Sequence, residues 1–224
     1  MEVCSKKYND EELRTKLIKH LDPKRYEHSL GVAYTAAALM MSHGTYLPDA
    51  KWALEKDTEP SDALQEQKEI CAAQLSQAYT AGLLHDCAKC LEEEEVRHLC
   101  AKYKVELSEV EKESPYLIHA KLGAVLAKEK YGVTDPQILS AIRFHTTGKA
   151  GMTTLEAIVF SADFIEPNRK MLNCLPEIRS IIYTDLNRAV ALILKQTIVH
   201  LKHKGQPIEE HTLEAFDFYK EYLD

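Results

Sequence analysis

Ala81-Gly82-Leu83-Leu84-His85-Asp86 closes an apolar run with an imidazole and a carboxylate side by side. Neighbouring positions of an α-helix project about 100° apart, so these two side chains can reach a common point only near a helix end or bend. Outward from this stretch, apolar residues recur at spacings of three and four, with little of the two-residue alternation or β-branched clustering of strands. The expectation is an all-α helical bundle.

Several boundaries are marked. Asp22-Pro23 and Asp135-Pro136 each set a capping side chain before a proline at the first helical position, where its missing N–H costs nothing. The first of these helices should run from Pro23 towards His43 and stop near Gly44. Further helices are expected at about 69–84, 92–104, 116–131, 136–145, 153–164, 177–202 and 210–223. Between them the composition turns to Pro48, Asp49, Asp57, Glu59 and Pro60, which predicts a surface insertion at about 46–68 in an otherwise single domain over 1–224.

Bulk properties exclude several classes. A formal charge of −7 over 224 residues argues against a nucleic-acid polymer as partner, which would call for a concentrated basic surface. The longest apolar runs, such as Ala36 to Met41, fall far short of the roughly 20 residues that span a bilayer, and Met1 to Leu13 has no apolar core. Neither secretion nor a membrane partner is therefore expected, and six cysteines without compact spacing fit a reducing cytoplasm. Cys87-Ala88-Lys89-Cys90 lacks the second CxxC or strand context of a zinc or redox motif, and the acids Glu92 to Glu95 lack calcium-loop spacing. There is no phosphate-cradling glycine loop and no Gly-x-Ser-x-Gly elbow.

Five segments carry ligand-type residues inside or beside apolar helices: Tyr26-Glu27-His28-Ser29-Leu30, Leu83-Leu84-His85-Asp86, Leu117-Ile118-His119-Ala120, Ile142-Arg143-Phe144-His145 and Phe160-Ser161-Ala162-Asp163. Burying such groups unpaired costs several kcal/mol each, and a divalent cation satisfies several at once. His119 alone would be read as a hydrogen-bonded core histidine. The combination favours one shared ion. His20, His43, His98, His200, His203 and His211 lie among charged or turn residues and are expected at the surface.

The order His28, His85-Asp86, His119, His145, Asp163 resembles the HD-domain metal-dependent phosphohydrolases, in the subset with two extra histidines. More narrowly, Arg25 to Ala33, Ala81 to Lys89, Ile118 to Ala124, His145-Thr146-Thr147-Gly148 and Ala162 to Arg169 are similar to the YqeK-type bacterial members, over roughly residues 10 to 220. The chain departs from that pattern at Ala120, where glycine is expected, and in the length of the connection from Tyr46 to Glu69. The resemblance implies an all-α bundle of the HD type and symmetrical bis(5'-nucleosyl)-tetraphosphatase activity, in which diadenosine tetraphosphate (Ap4A) and related dinucleoside polyphosphates are cut to two ADP. It also implies iron or a similar ion.

On that reading His28, His85, Asp86 and Asp163 are the metal ligands, a nitrogen and oxygen shell suited to Fe, Mn, Zn or Co, with Asp86 the bridge if two ions are bound. His119 and His145 either ligate the second ion or contact and protonate the phosphates, and with Asp86 they form the catalytic set. Arg25 lies one helical turn before His28 on the same face, where a ligand at the metal would meet its guanidinium. Arg169 follows Asp163 across Pro167, which should end the helix and let the arginine turn back; Lys89, three residues past Asp86, is a further phosphate candidate. Competing readings are an HD phosphohydrolase for a nucleoside monophosphate, a deoxynucleoside triphosphate or a cyclic nucleotide, and a nucleotide sensor without turnover. Monomer and homodimer both stay open.

Overall fold

A computed structural model describes residues 8–44 and 62–224, among which eleven α-helices and no strand occur. The two proline-headed helices begin as expected: Asp22 accepts the Arg25 N–H at 2.9 Å to cap α2 (Pro23–His43), and Asp135 accepts the Gln137 N–H at 2.8 Å to cap α7 (Pro136–Phe144). The others are α1 (Asp10–Leu17), α3 (Asp62–Leu84), α4 (Glu93–Tyr103), α5 (Glu109–Glu113), α6 (Ile118–Glu129), α8 (Thr154–Ile165), α9 (Leu175–Ile181), α10 (Leu186–His203) and α11 (Glu210–Tyr219). A 3-10 turn, Pro115–Leu117, leads into α6.

Four features differ from the sequence expectation, one of them the short helix α5, started by the capping box of Ser108 and Glu111 where no helix was expected. The helix expected at 177–202 is two helices, because the Asp185 side chain accepts the Arg188 N–H at 3.0 Å and starts α10 afresh. α1 was not expected; Asn9 caps it through the N–H groups of Glu11 and Glu12, its acids lie at the favourable end of the helix dipole, and Leu13 and Leu17 anchor it. α3 begins at Asp62, so the last part of the insertion expected at 46–68 is helical, while 45–61 lies outside the described residues.

α2 is central, packing most extensively on α3 and then on α8, while α7 contacts α6, α8 and α3. The closeness of α2 and α3 depends on Gly82: a Cβ there would stand 2.9 Å from Ala33 Cα and 3.0 Å from the Val32 carbonyl. Fully buried Leu39, Leu83, Ile138, Ile142 and Ile158 fill the space between these helices, each contributing roughly 2–3 kcal/mol of apolar burial. Among the described residues no helix is long and apolar enough to cross a membrane.

Candidate metal centre

Five helices deliver the polar residues to one point. His28 lies near the start of α2, His119 near the start of α6 and Asp163 near the end of α8; His145 is the C-cap of α7. His85 and Asp86 stand in the turn just past the end of α3, the one arrangement in which adjacent residues can converge. Among the described residues, two triads have ligand atoms all within 4.8 Å of one another: His28, His85 and Asp163, and His85, Asp86 and His145. Asp86 joins them. Its Oδ2 lies 3.4 Å from His85 Nε2 and 3.8 Å from His28 Nε2, whereas its Oδ1 lies 3.1 Å from His119 Nε2 and 3.6 Å from His145 Nε2.

The histidines share one orientation. Nδ1 of His85 donates to the Gly82 carbonyl at 2.7 Å, that of His145 to the Ile142 carbonyl at 2.7 Å, and that of His119 to the Tyr116 carbonyl. Nδ1 of His28 donates to Glu166 Oε1 at 3.1 Å. A carbonyl or carboxylate can only accept, so each Nδ1 carries the proton and each Nε2 presents a lone pair. Those lone pairs turn inward, and the buried Nε2 atoms of His28 and His85 have no hydrogen-bond partner although Asp163 Oδ1 is 3.0 Å from the first and 3.8 Å from the second. Orphaned imidazole nitrogens facing carboxylates, with their far sides anchored, are the arrangement that a divalent cation completes. The residues fit such an ion.

The electrostatics point the same way. Burial pushes the Asp86 carboxyl up, but the surrounding imidazoles of His85, His119 and His145 outweigh it and hold Asp86 well below the usual carboxylate range. Asp163 is held low by His28, His85 and Arg169, again against burial. Burial pushes His119 down to about 4, with Asp86 offsetting it only in part, so this ring is neutral at pH 7. Burial also opposes charge on His28, yet Asp163 and Glu166 prevail and raise it, so the point between His28 and Asp163 favours a positive charge.

The three expected phosphate-binding side chains reach the rim. Arg25 donates to Asp86 Oδ2 at 2.7 Å. Past Pro167, Arg169 does turn back, donating from Nε to the Asp163 carbonyl at 2.7 Å and from Nη2 to Asp163 Oδ1 at 2.5 Å. Lys89 Nζ lies 3.1 and 3.2 Å from the two ring nitrogens of His119, and burial lowers its pKa against the pull of Asp86. A cleft of about 560 Å³ opens beside His28, lined by Arg25, Arg169 and neighbours.

Two residues of this centre have no role in the sequence expectation. Glu166 is 1% exposed and holds His28 with one oxygen while its Oε2 accepts the Asn168 N–H at 2.7 Å; a Cβ on Gly31 would stand 2.6 Å from that Oε2. A glutamate between an apolar helix and Pro167 was the available signal. Thr146 places its hydroxyl 3.1 Å from His145 Nε2. One surface expectation fails: His43 is half-buried, its Nε2 2.6 Å from the Ile182 carbonyl, because α2 runs on to the α9–α10 junction.

The model of the HD domain matches residues 25–168, a span that begins at Arg25 and takes in every ligand-type residue of the centre. The chain belongs to the HD-domain family. Across its length this HD-domain protein is 33% identical to the symmetrical bis(5'-nucleosyl)-tetraphosphatase of Bacillus subtilis (strain 168), covering 94% of the chain and 97% of that relative. It is 34% identical to the enzyme of the same name from Halalkalibacterium halodurans, over 88% of the chain and 90% of the relative. A crystal structure from Clostridium acetobutylicum, described as that of a predicted HD superfamily hydrolase involved in NAD metabolism, superposes with a TM-score of 0.77 at 31% identity, covering 96% of this chain and 99% of that one.

Proposed function

We propose that this HD-domain protein is a metal-dependent hydrolase that cleaves Ap4A and related dinucleoside polyphosphates symmetrically, releasing two ADP. The observation that carries the chemistry is the set of four histidines anchored through Nδ1 with their Nε2 atoms turned on the two oxygens of Asp86. The substrate is supported by relatives that bear this activity in their names and align over nearly the whole chain. His28, His85, Asp86 and Asp163 would hold the ion in a shell of imidazoles and carboxylates suited to Fe, Mn, Zn or Co, of which iron is the one the family resemblance implies. Asp86 would reach a second ion through the oxygen that faces His119 and His145. A bound divalent ion supplies positive charge at the phosphoryl oxygens and acidifies the attacking water.

The chain's own residues do the rest. Arg25 and Arg169, each paired with a carboxylate of the centre, exchange that partner for phosphate oxygens when substrate arrives. Lys89, seated on the His119 ring, supplies positive charge to the departing ADP oxygen, while the Nε2 lone pairs of His119 and His145 would help to hold the second ion. The reading takes residues 1–224 as a single domain and the cytoplasm as its compartment, where cysteines stay reduced.

The test is to incubate anaerobically purified, metal-analysed protein with Ap4A and resolve the products by ion exchange. ADP alone is expected; AMP with ATP, or intact Ap4A despite bound metal, would overturn the reading.

A further inference from the structure

We propose that the cleft beside His28 seats the far half of the dinucleotide, with Lys24 and Lys170 gripping its phosphates; this rests on the function proposed above. Symmetrical cleavage leaves equal halves on either side of the scissile bond, and a centre that handles one phosphorus needs an adjoining seat for the nucleoside diphosphate beyond it. The cleft, about 560 Å³, falls within the roughly 300–1,000 Å³ that small-molecule pockets occupy. It shares Arg25, His28, Glu166 and Arg169 with the centre, so a polyphosphate can run from one to the other without a gap.

Charge identifies the occupant. On a chain with a net charge of −7, four of the nine residues lining this cleft are Lys24, Arg25, Arg169 and Lys170. Two of its three acids are engaged elsewhere: Asp22 caps α2 and Glu166 is turned onto His28 and the Asn168 N–H. Arg25 and Arg169 face the centre's carboxylates, whereas Lys24 and Lys170 are exposed and, among the described residues, without an ion pair. Each unpaired lysine directly follows or precedes an arginine of the centre, so each pair continues positive charge from the reacting phosphates outward. The loop after Lys170 carries exposed Met171 and Leu172, apolar surface of the kind a purine covers.

The experiment compares metal-loaded wild type with Lys24→Glu/Lys170→Glu, and with Lys202→Glu/Lys204→Glu, which makes the same charge change at exposed lysines outside the cleft. Ap4A kinetics and calorimetric titration with ADP are the readouts. We expect the cleft variant to raise KM for Ap4A by about tenfold or more with a small change in kcat, and to bind one ADP per chain where wild type binds two. The control should keep wild-type KM and two ADP. A single ADP site on wild type, or an unchanged KM and two sites in the cleft variant, overturns the assignment. Failure of wild type to make ADP from Ap4A would overturn the proposed function instead, and the ADP stoichiometry would then decide the cleft separately.

Discussion

Glu166 accepts from His28 with one oxygen and from the Asn168 backbone with the other, so a single carboxylate sets both the ring of a proposed ligand and the loop that bears Arg169. Replacing it by glutamine keeps an acceptor for one of these but removes the charge that makes the imidazole a better donor to metal. Glu166→Gln should weaken metal binding by about 10- to 100-fold, measured by competition with a chromogenic chelator; wild-type affinity would reduce Glu166 to a helix-end contact. His119 invites a separate test in the metal-free state. Its folded pKa is about 4 and its unfolded value about 6.5, so as pH falls the unfolded chain takes the proton first. Its contribution is whole above about pH 6.5 and is lost as pH falls towards 4. His28 is shifted the other way, so its contribution is whole below about 6.5 and changes only above it, and the lowered carboxylates of Asp86 and Asp163 matter nearer pH 4 and below. Between pH 7 and 5, EDTA-treated wild type should therefore lose on the order of 2 kcal/mol more stability than His119→Gln, read from urea midpoints. Equal losses would mean that His119 is not held neutral.

Gly82 is where one missing Cβ governs two elements, since α2 carries His28 and α3 delivers His85. Gly82→Ala should cost roughly 1–3 kcal/mol through overpacking and also weaken metal binding by separating the two histidines. Gly132→Ala is the contrast: its φ of 73° strains any other residue by about 1 kcal/mol, but nothing lies within 4 Å, so metal affinity should hold. If both variants behaved alike in the metal titration, the α2–α3 contact would not set the centre. The same elements explain what could be read beforehand. Asp22-Pro23 and Asp135-Pro136 are local signals, and the ligand-type residues stood out as polar groups in apolar stretches. The break between α9 and α10 was hidden because Ile178, Ile182 and Leu186 keep a spacing of four straight across it, so periodicity alone continues the helix. α1 buries only two leucines, too short a stripe to register. The role of Glu166 was missed because its partner His28 lies 138 residues away: a glutamate between an apolar helix and Pro167 marks the position without naming the partner.

At the scale of the whole molecule, the centre ties together α2, α3, α6, α7 and α8, while the apolar packing of those helices rests on residues such as Leu39, Leu83 and Ile158 that take no part in it. The ion should therefore stabilise a fold that exists without it. At free metal 100-fold above Kd, selective binding adds about 2.7 kcal/mol. In a chain of this length that corresponds to roughly 5–10 °C in Tm. Chelation should lower Tm by that amount while the far-ultraviolet circular dichroism at 25 °C stays helical, and returning the metal should restore it. His85→Ala/Asp86→Ala, deprived of the residues between the two triads, should keep its helical signal and show the same Tm with and without metal. Collapse of the helical signal on chelation would make the ion a structural element of the bundle; a persistent metal-dependent shift in the double variant would place the ion elsewhere.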